Sequence, residues 1–183
     1  VESALRDREA RVKELEDIIA EKDAAVRALK DRISQALLGF KDKGLTVEQR
    51  NGKIYVSLEA KLLFPSGSTV VNSEGKKALL DLSKVVKEEK EITILVEGHT
   101  DSDPINGGAA MKDNWDLSVL RATSVVRIMN QEGGVDNTML TAAGRGQFIP
   151  VADNSTADGK AKNRRIEIIL TPNLDRLFEI LNE

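Results

Sequence analysis

The chain contains no cysteine, so disulfides, thiolate metal sites and cysteine nucleophiles are all excluded. Its single histidine rules out a multi-histidine zinc centre and leaves one imidazole for any general-base chemistry. Aromatic residues are scarce, with one Trp, one Tyr and four Phe. Stacking of nucleic-acid bases is therefore poorly supplied, and a core must be assembled from Leu, Ile, Val and Ala. The formal net charge is −3 and no long basic run occurs, which argues against nucleic acid or an anionic membrane surface as the main partner. No stretch of about 20 apolar residues exists to cross a bilayer as a helix, and no signal peptide is visible. The first residue is Val1 rather than Met, and the opening residues already have helical character. A processed chain or a fragment is expected, with any membrane anchor lying outside it.

What is present fits one ordinary domain plus an extended element: 183 residues, 40% hydrophobic and 31% charged. Residues 1–40 lack Pro, have no Gly before Gly39 and are dense in Ala, Glu, Lys, Arg and Leu, which predicts a long helix. Leu5, Val12, Ile19, Val26 and Ile33 recur at heptad spacing, and Val1, Arg8, Leu15, Lys22, Leu29 and Ala36 form the companion row. Mostly β-branched residues in one row with Leu in the other favour a parallel two-stranded coiled coil. Residues 1–40 are therefore expected to be a stalk that pairs as a homodimer, with residues 41–183 as a separate domain. Arg8 and Lys22 weaken the seam, and a helix folded back on its own domain is the alternative.

Beyond Gly44 the pattern changes to short alternating runs. Gly52 separates Leu45–Arg50 from Lys53–Ala60, where Ile54, Val56 and Leu58 share one face of a half-buried strand, a hairpin pattern. Phe64-Pro65-Ser66-Gly67-Ser68 is a turn cluster, and Asn72 or Ser73 can cap the following helix, buried through Leu79, Leu80, Leu82, Val85 and Val86. Ile92–Glu97 predicts a central strand buried on both faces. A second helix is expected from about Asp116 to Gln131, with Leu117, Leu120, Val125, Ile128 and Met129 inward and Gly133-Gly134 ending it. Strands near Met139–Ala142 and Arg164–Leu170 follow, then an amphipathic helix packing through Leu174, Leu177, Phe178 and Leu181. The alternation predicts an α/β fold: a mixed sheet covered by helices on one or both faces.

Polar clusters stand where elements end: Gly98-His99-Thr100-Asp101, then Asn114-Trp115-Asp116-Leu117-Ser118 with Arg121, and Asn163-Arg164-Arg165. Taken alone, Asp101 can be a cap and Arg121 an ordinary helix-surface ion pair. His99 with Asp101 and Asp103 offers metal-ligand chemistry, but strand alternation turns His99 away from Thr100, which favours a structural hydrogen bond. Glu97 and Asp101 flank one strand end rather than a glycosidic bond, and no Gly-x-Ser-x-Gly elbow is present. Gly144-Arg145-Gly146 reads as a tight loop, since no helix follows it directly to cradle a phosphate.

These blocks resemble the OmpA carboxy-terminal family, which includes Pal lipoproteins and the periplasmic domain of MotB stator proteins. The likeness runs from about Ile54 to Leu170. It rests on Val96-Glu97-Gly98-His99-Thr100-Asp101, on Leu117-Ser118 with Arg121-Ala122, on Gly144-Arg145-Gly146 with Pro150, and on Gly159 with Asn163-Arg164-Arg165-Ile166-Glu167-Ile168. Asp101-Ser102-Asp103-Pro104-Ile105 and Asn114-Trp115-Asp116-Leu117-Ser118 are most similar to the MotB branch, although the membrane-spanning helix of that branch has no counterpart here.

The resemblance implies an OmpA-like α+β sandwich with no enzymatic activity and no cofactor. It also implies binding of the peptidoglycan stem peptide at the free end of diaminopimelate, in the periplasm of a Gram-negative-type bacterium, with attachment to the outer or inner membrane. Asp101 would take the ammonium of that zwitterion and Arg121 its carboxylate, supported by Asn114, Arg164 and the Thr100 hydroxyl. Only one of Arg164 and Arg165 can face the same pocket, and Arg164 is favoured. A protein-interaction scaffold, or a stator-like component whose head no longer grips the wall, is the alternative. The residues from Asp103 to Lys112, with Asn106-Gly107-Gly108, form a loop beside the expected pocket.

Overall fold

A computed structural model describes all residues, Val1–Glu183. Helix α1 (Glu2–Ala36) runs through a 3-10 turn, Leu38–Lys43, into the hairpin β1 (Leu45–Arg50) and β2 (Lys53–Glu59). Then follow α2 (Ala60–Leu63), α3 (Ser73–Val86), β3 (Ile92–His99), α4 (Asn114–Gln131), β4 (Leu140–Gly144), α5 (Ala157–Asn163), β5 (Arg165–Pro172) and α6 (Asp175–Leu181). The strands make one five-stranded sheet in the order β1-β2-β5-β3-β4. Only the β3–β4 pair is parallel, so the sheet is mixed as expected. The β1–β2 turn is Asn51-Gly52, with φ of 53° and 74°, the left-handed pair that a tight hairpin turn requires.

Register explains the core. Ile54, Leu170 and Ile94 lie in one row across β2, β5 and β3, and Val56, Ile168 and Val96 lie in the next. The third row is Leu58, Ile166 and Gly98. These side chains are buried on one face, where α1, α3 and α4 cover them. Helix α3 starts at the expected cap, Asn72, whose side chain accepts from the Gly75 amide. Helix α4 starts slightly earlier than the sequence pattern predicts, because Asp113 is its cap and accepts from the Asp116 amide.

The heptad rows of α1 divide between two environments. Val26, Leu29 and Ile33, with Leu37 and Phe40 beyond them, are buried in the domain core, whereas Leu5, Val12 and Ile19 are exposed. The expectation that residues 1–40 stand apart as a stalk is corrected here: the second half of the helix belongs to the body. One apolar stripe on a helix has the same spacing whether its partner is a second helix or the chain's own sheet. Lys22, which weakens a coiled-coil seam, instead donates to Glu91 at 2.7 Å. That hydrogen bond, with the lysine's charge, holds the Glu91 carboxyl below its ordinary pKa.

A truncation follows from this division. Deleting residues 1–14, none of them buried, is expected to leave the thermal midpoint within about 2 °C. Deleting 1–40 removes five core side chains worth roughly 1.5–3 kcal/mol each, comparable with a domain's whole stability, and is expected to yield no cooperative melt by circular dichroism.

Smaller corrections have similar causes. In α6 the buried residue is Ile180, while Phe178 and Leu181 are exposed, because this short helix packs mainly on α1 at its end of the body. Leu120 is 37% exposed. Thr93 is exposed, since the sheet face opposite the helices is open there. Helices α2 and α5 are too short to impose a periodicity on the sequence.

Candidate functional site

The C-terminal end of β3 and the N-terminal end of β5 are antiparallel neighbours, with His99 opposite Arg165. The residues just beyond, Asp101 and Arg164, therefore meet: Arg164 Nη1 donates to Asp101 Oδ2 at 2.6 Å. Helix α4 packs on β3 and brings Asn114 in its first turn and Arg121 two turns later to the same end of the sheet. Thr100, Asp101, Asn114, Arg121 and Arg164 all line one cavity of about 510 Å³.

The two charges expected to grip a ligand are held differently. Asp101 is buried, and its Oδ1 accepts from the Asp103 amide at 3.0 Å while Oδ2 is engaged by Arg164. Arg121 is only 5% exposed. Its one side-chain hydrogen bond runs from Nε to the Ser68 carbonyl at 3.0 Å, and its guanidinium carbon sits 4.8 Å from the centre of the Phe64 ring. Burial lowers the Arg121 pKa, the Arg164 charge lowers it further, and Asp101 opposes both. A guanidinium stays charged under such shifts, so Nη1 and Nη2 remain donors without a carboxylate.

Asn114 Nδ2 donates to the Asp103 carbonyl and Gln147 Oε1, both at 3.0 Å, whereas its buried Oδ1 has no partner. A buried acceptor left unpaired costs about 1–3 kcal/mol, which a ligand N–H would recover. Thr100 Oγ1 donates to the Asp101 carbonyl, so this hydroxyl has an acceptor but no free proton to offer. Pro104, Ile105 and Asn106 line the cavity, placing the 103–112 loop beside it as expected, and Lys160 holds Asp103 at 3.0 Å.

The opposite sheet face carries a second charged group. Glu97 and Glu167 are direct cross-strand partners, an unfavourable like-charge pair. His99 Nε2 lies 2.8 Å from Glu97, Arg145 Nε 3.2 Å from Glu97, and Arg165 Nε 2.9 Å from Glu167. His99 thus lies on the face of Glu97 and Glu167 and not in the cavity that Thr100 lines, as strand alternation predicts for neighbouring residues. Glu97, His99 and Glu167 come close enough to consider a metal, but the two guanidiniums already balance the two carboxylates. The His99 hydrogen bond first, and Arg145 second, hold Glu97 below its ordinary pKa against the effect of burial.

A depressed carboxyl pKa contributes stability that is present above the unfolded value, about 4.3, and is lost as pH falls through the folded one. Glu97→Gln is therefore expected to lower the melting temperature at pH 7 and to flatten its decline toward pH 3. An unchanged slope on the acid side would count against this account.

Sequence reasoning did not find Phe64, Ser68 or Gln147. The first two read only as turn residues, and the contact of Gln147 with Asn114 joins the start of α4 to a loop 33 residues further along the chain. Arg165 is buried at the start of the central strand β5, donating to the Asn163 and Ile149 carbonyls, and of the two arginines Arg164 lines the cavity.

A mixed sheet layered with helices, opening at its strand ends on a small charged cleft, is the class of domain this geometry defines. Residues 63–164 match the OmpA family, and the chain belongs to it. Motility protein B of Bacillus subtilis is 30% identical over 119 residues, 65% of this chain and 45% of that protein. A MotB-like protein from Desulfovibrio vulgaris superposes with a TM-score of 0.76 at 25% identity, covering 84% of this chain and 95% of that one. The cell wall anchor of the T6SS from Pseudomonas aeruginosa gives 0.70 at 33% identity, covering 78% and 98%. The chain spans about half the length of the curated relatives it matches. The names of these relatives are those of motility and cell-wall-anchor proteins.

Proposed function

We propose that the cleft holds the peptide stem of peptidoglycan and so tethers an envelope protein to the cell wall, gripping the free zwitterionic end of diaminopimelate. The observation that carries this reading is Arg121, a buried guanidinium whose Nη donors have no carboxylate of their own, in a cavity shared with Asp101. The ligand carboxylate takes the Arg121 fork. The ligand ammonium shares Asp101 with Arg164, since a carboxylate has lone pairs for more than one donor. The unpaired Asn114 Oδ1 is the remaining acceptor for a ligand N–H. Two or three charge-assisted bonds of about 1.5–3 kcal/mol give a reversible contact near micromolar strength.

Calorimetry with a stem tripeptide ending in diaminopimelate, against one ending in lysine, tests the assignment. Lysine lacks the second carboxylate and is expected to bind at least about tenfold more weakly. Equal affinities would remove diaminopimelate recognition, and no retention on purified sacculi would remove wall binding altogether.

Pairing through α1 belongs to the same proposal, confined to the exposed row Leu5, Val12 and Ile19. Two heads on one stalk raise the effective concentration at a polymeric ligand. Sedimentation is expected to show a dimer that becomes a monomer when residues 1–14 are deleted. On this reading the domain works in the periplasm of a Gram-negative-type bacterium. No helix here is long and apolar enough to cross a membrane, so attachment falls to another segment of the parent protein.

A further inference from the structure

The only tryptophan of the chain is 48% exposed. Trp115 faces Phe148, itself 58% exposed, with ring centroids 5.2 Å apart and planes tilted by 34°. Val119 is exposed on the next turn of α4, and Ile149 and Val151 continue the exposed apolar run after Phe148. Placing the one Trp in water wastes the largest apolar side chain available to an aromatic-poor core, and an exposed apolar patch of this kind marks a contact surface.

The rings are held rigidly, and to the cleft. The Arg145 amide donates to the Gly98 carbonyl, the Gly146 amide to Ser118 Oγ, and the Gly146 carbonyl accepts from the Thr100 amide. Gly146 has φ of 59°, and a Cβ there would lie 3.3 Å from Phe148 and 3.5 Å from Trp115, so the glycine seats both rings. Trp115 follows the cleft residue Asn114, Phe148 follows Gln147, and Asn114 and Gln147 are hydrogen-bonded to each other. Cleft and ring pair are thus consecutive parts of one fixed surface.

We propose that Trp115 and Phe148 form a platform for the saccharide strand of the same polymer whose peptide occupies the cleft, the C–H faces of N-acetylated pyranose rings stacking on the two aromatic faces. This rests on the wall-binding reading. A stem peptide extends about 3.3–3.6 Å per residue, so a strand joined to a diaminopimelate held in the cleft lies about three residues away, roughly 10 Å. The flanking Arg145 and Gln147 supply donors and acceptors for the hydroxyl and acetamido groups that ring stacking leaves over.

Trp115, as the single tryptophan, reports directly. Titration with a soluble β-1,4-linked N-acetylglucosamine tetramer is expected to shift its emission saturably. A disaccharide-tripeptide is expected to bind the wild-type chain about tenfold more tightly than the free tripeptide. The double variant Trp115→Ala, Phe148→Ala is expected to lose that difference and keep the wild-type affinity for the free tripeptide. Trp115→Phe, which preserves an aromatic face and guards against a folding artefact, is expected to retain most of it. Equal wild-type affinities for the two ligands, with emission unmoved by the saccharide, would overturn the platform. So would emission that shifts with protein concentration and not with saccharide, which assigns the patch to a second copy. If the tripeptide fails to bind while the saccharide still shifts emission, the cleft reading falls and the platform stands.

Discussion

Arg121→Ala is expected to weaken binding to purified sacculi by about a hundredfold or more, read as the bound fraction over a protein concentration series. Two parallel N–H donors lost at about 1.5 kcal/mol each, the low end for charged groups, amount to about 3 kcal/mol, and each 1.4 kcal/mol is tenfold. Arg121→Lys keeps a charge but presents it as a point rather than a fork, and is expected to recover less than a tenth of the loss. Burial at this position also disfavours a charged lysine more strongly than a guanidinium. The substitution also removes the Nε bond to Ser68 and the contact with Phe64, so both variants must first show a cooperative melt well above the assay temperature. Undiminished retention by a folded Arg121→Ala protein would mean that the cleft is not where the wall is held.

Gly98→Ala should be the most damaging single methyl group tested in the domain's centre, with a loss of about 3 kcal/mol or more and a midpoint lowered by roughly 6–12 °C. A Cβ at this position would stand 2.1 Å from the backbone carbonyl oxygen of Ser118, which cannot swing aside as a side chain would. Helix α4 must then lift from β3, and it carries Asn114 and Arg121 with it. Wall binding is therefore expected to fall alongside stability. Gly39→Ala, where nothing lies within 4 Å of the added carbon, serves as the comparison and is expected to shift the midpoint by less than about 2 °C. Similar melts for the two variants would show that α4 is not seated as described.

Local patterning was enough for the elements that bury one regular face. The alternation of Ile54, Val56 and Leu58, the Asn72 cap and the apolar face of α3 each express a period or a hydrogen bond satisfied within a few residues. The ordered blocks around Asp101, Arg121 and Arg164 likewise marked the residues that line the cleft. Their partners were not legible in the same way. Phe64 beneath Arg121, Gln147 against Asn114 and the carbonyl of Ser68 are contacts between segments far apart in the chain, and no local spacing encodes them.

By itself the sequence determined the α/β class, the long opening helix, the absence of thiol and multi-histidine chemistry, and which polar residues gather where strands and helices end. Only the tertiary structure decided that α1 divides between core and solvent, that Asp101 is already engaged by Arg164 while Arg121 has no carboxylate, and that Trp115 stands in water beside Phe148. The reason is physical. Periodicity records that a face must be covered but not by what, and the pairing of a charge depends on which remote strand ends the sheet brings side by side.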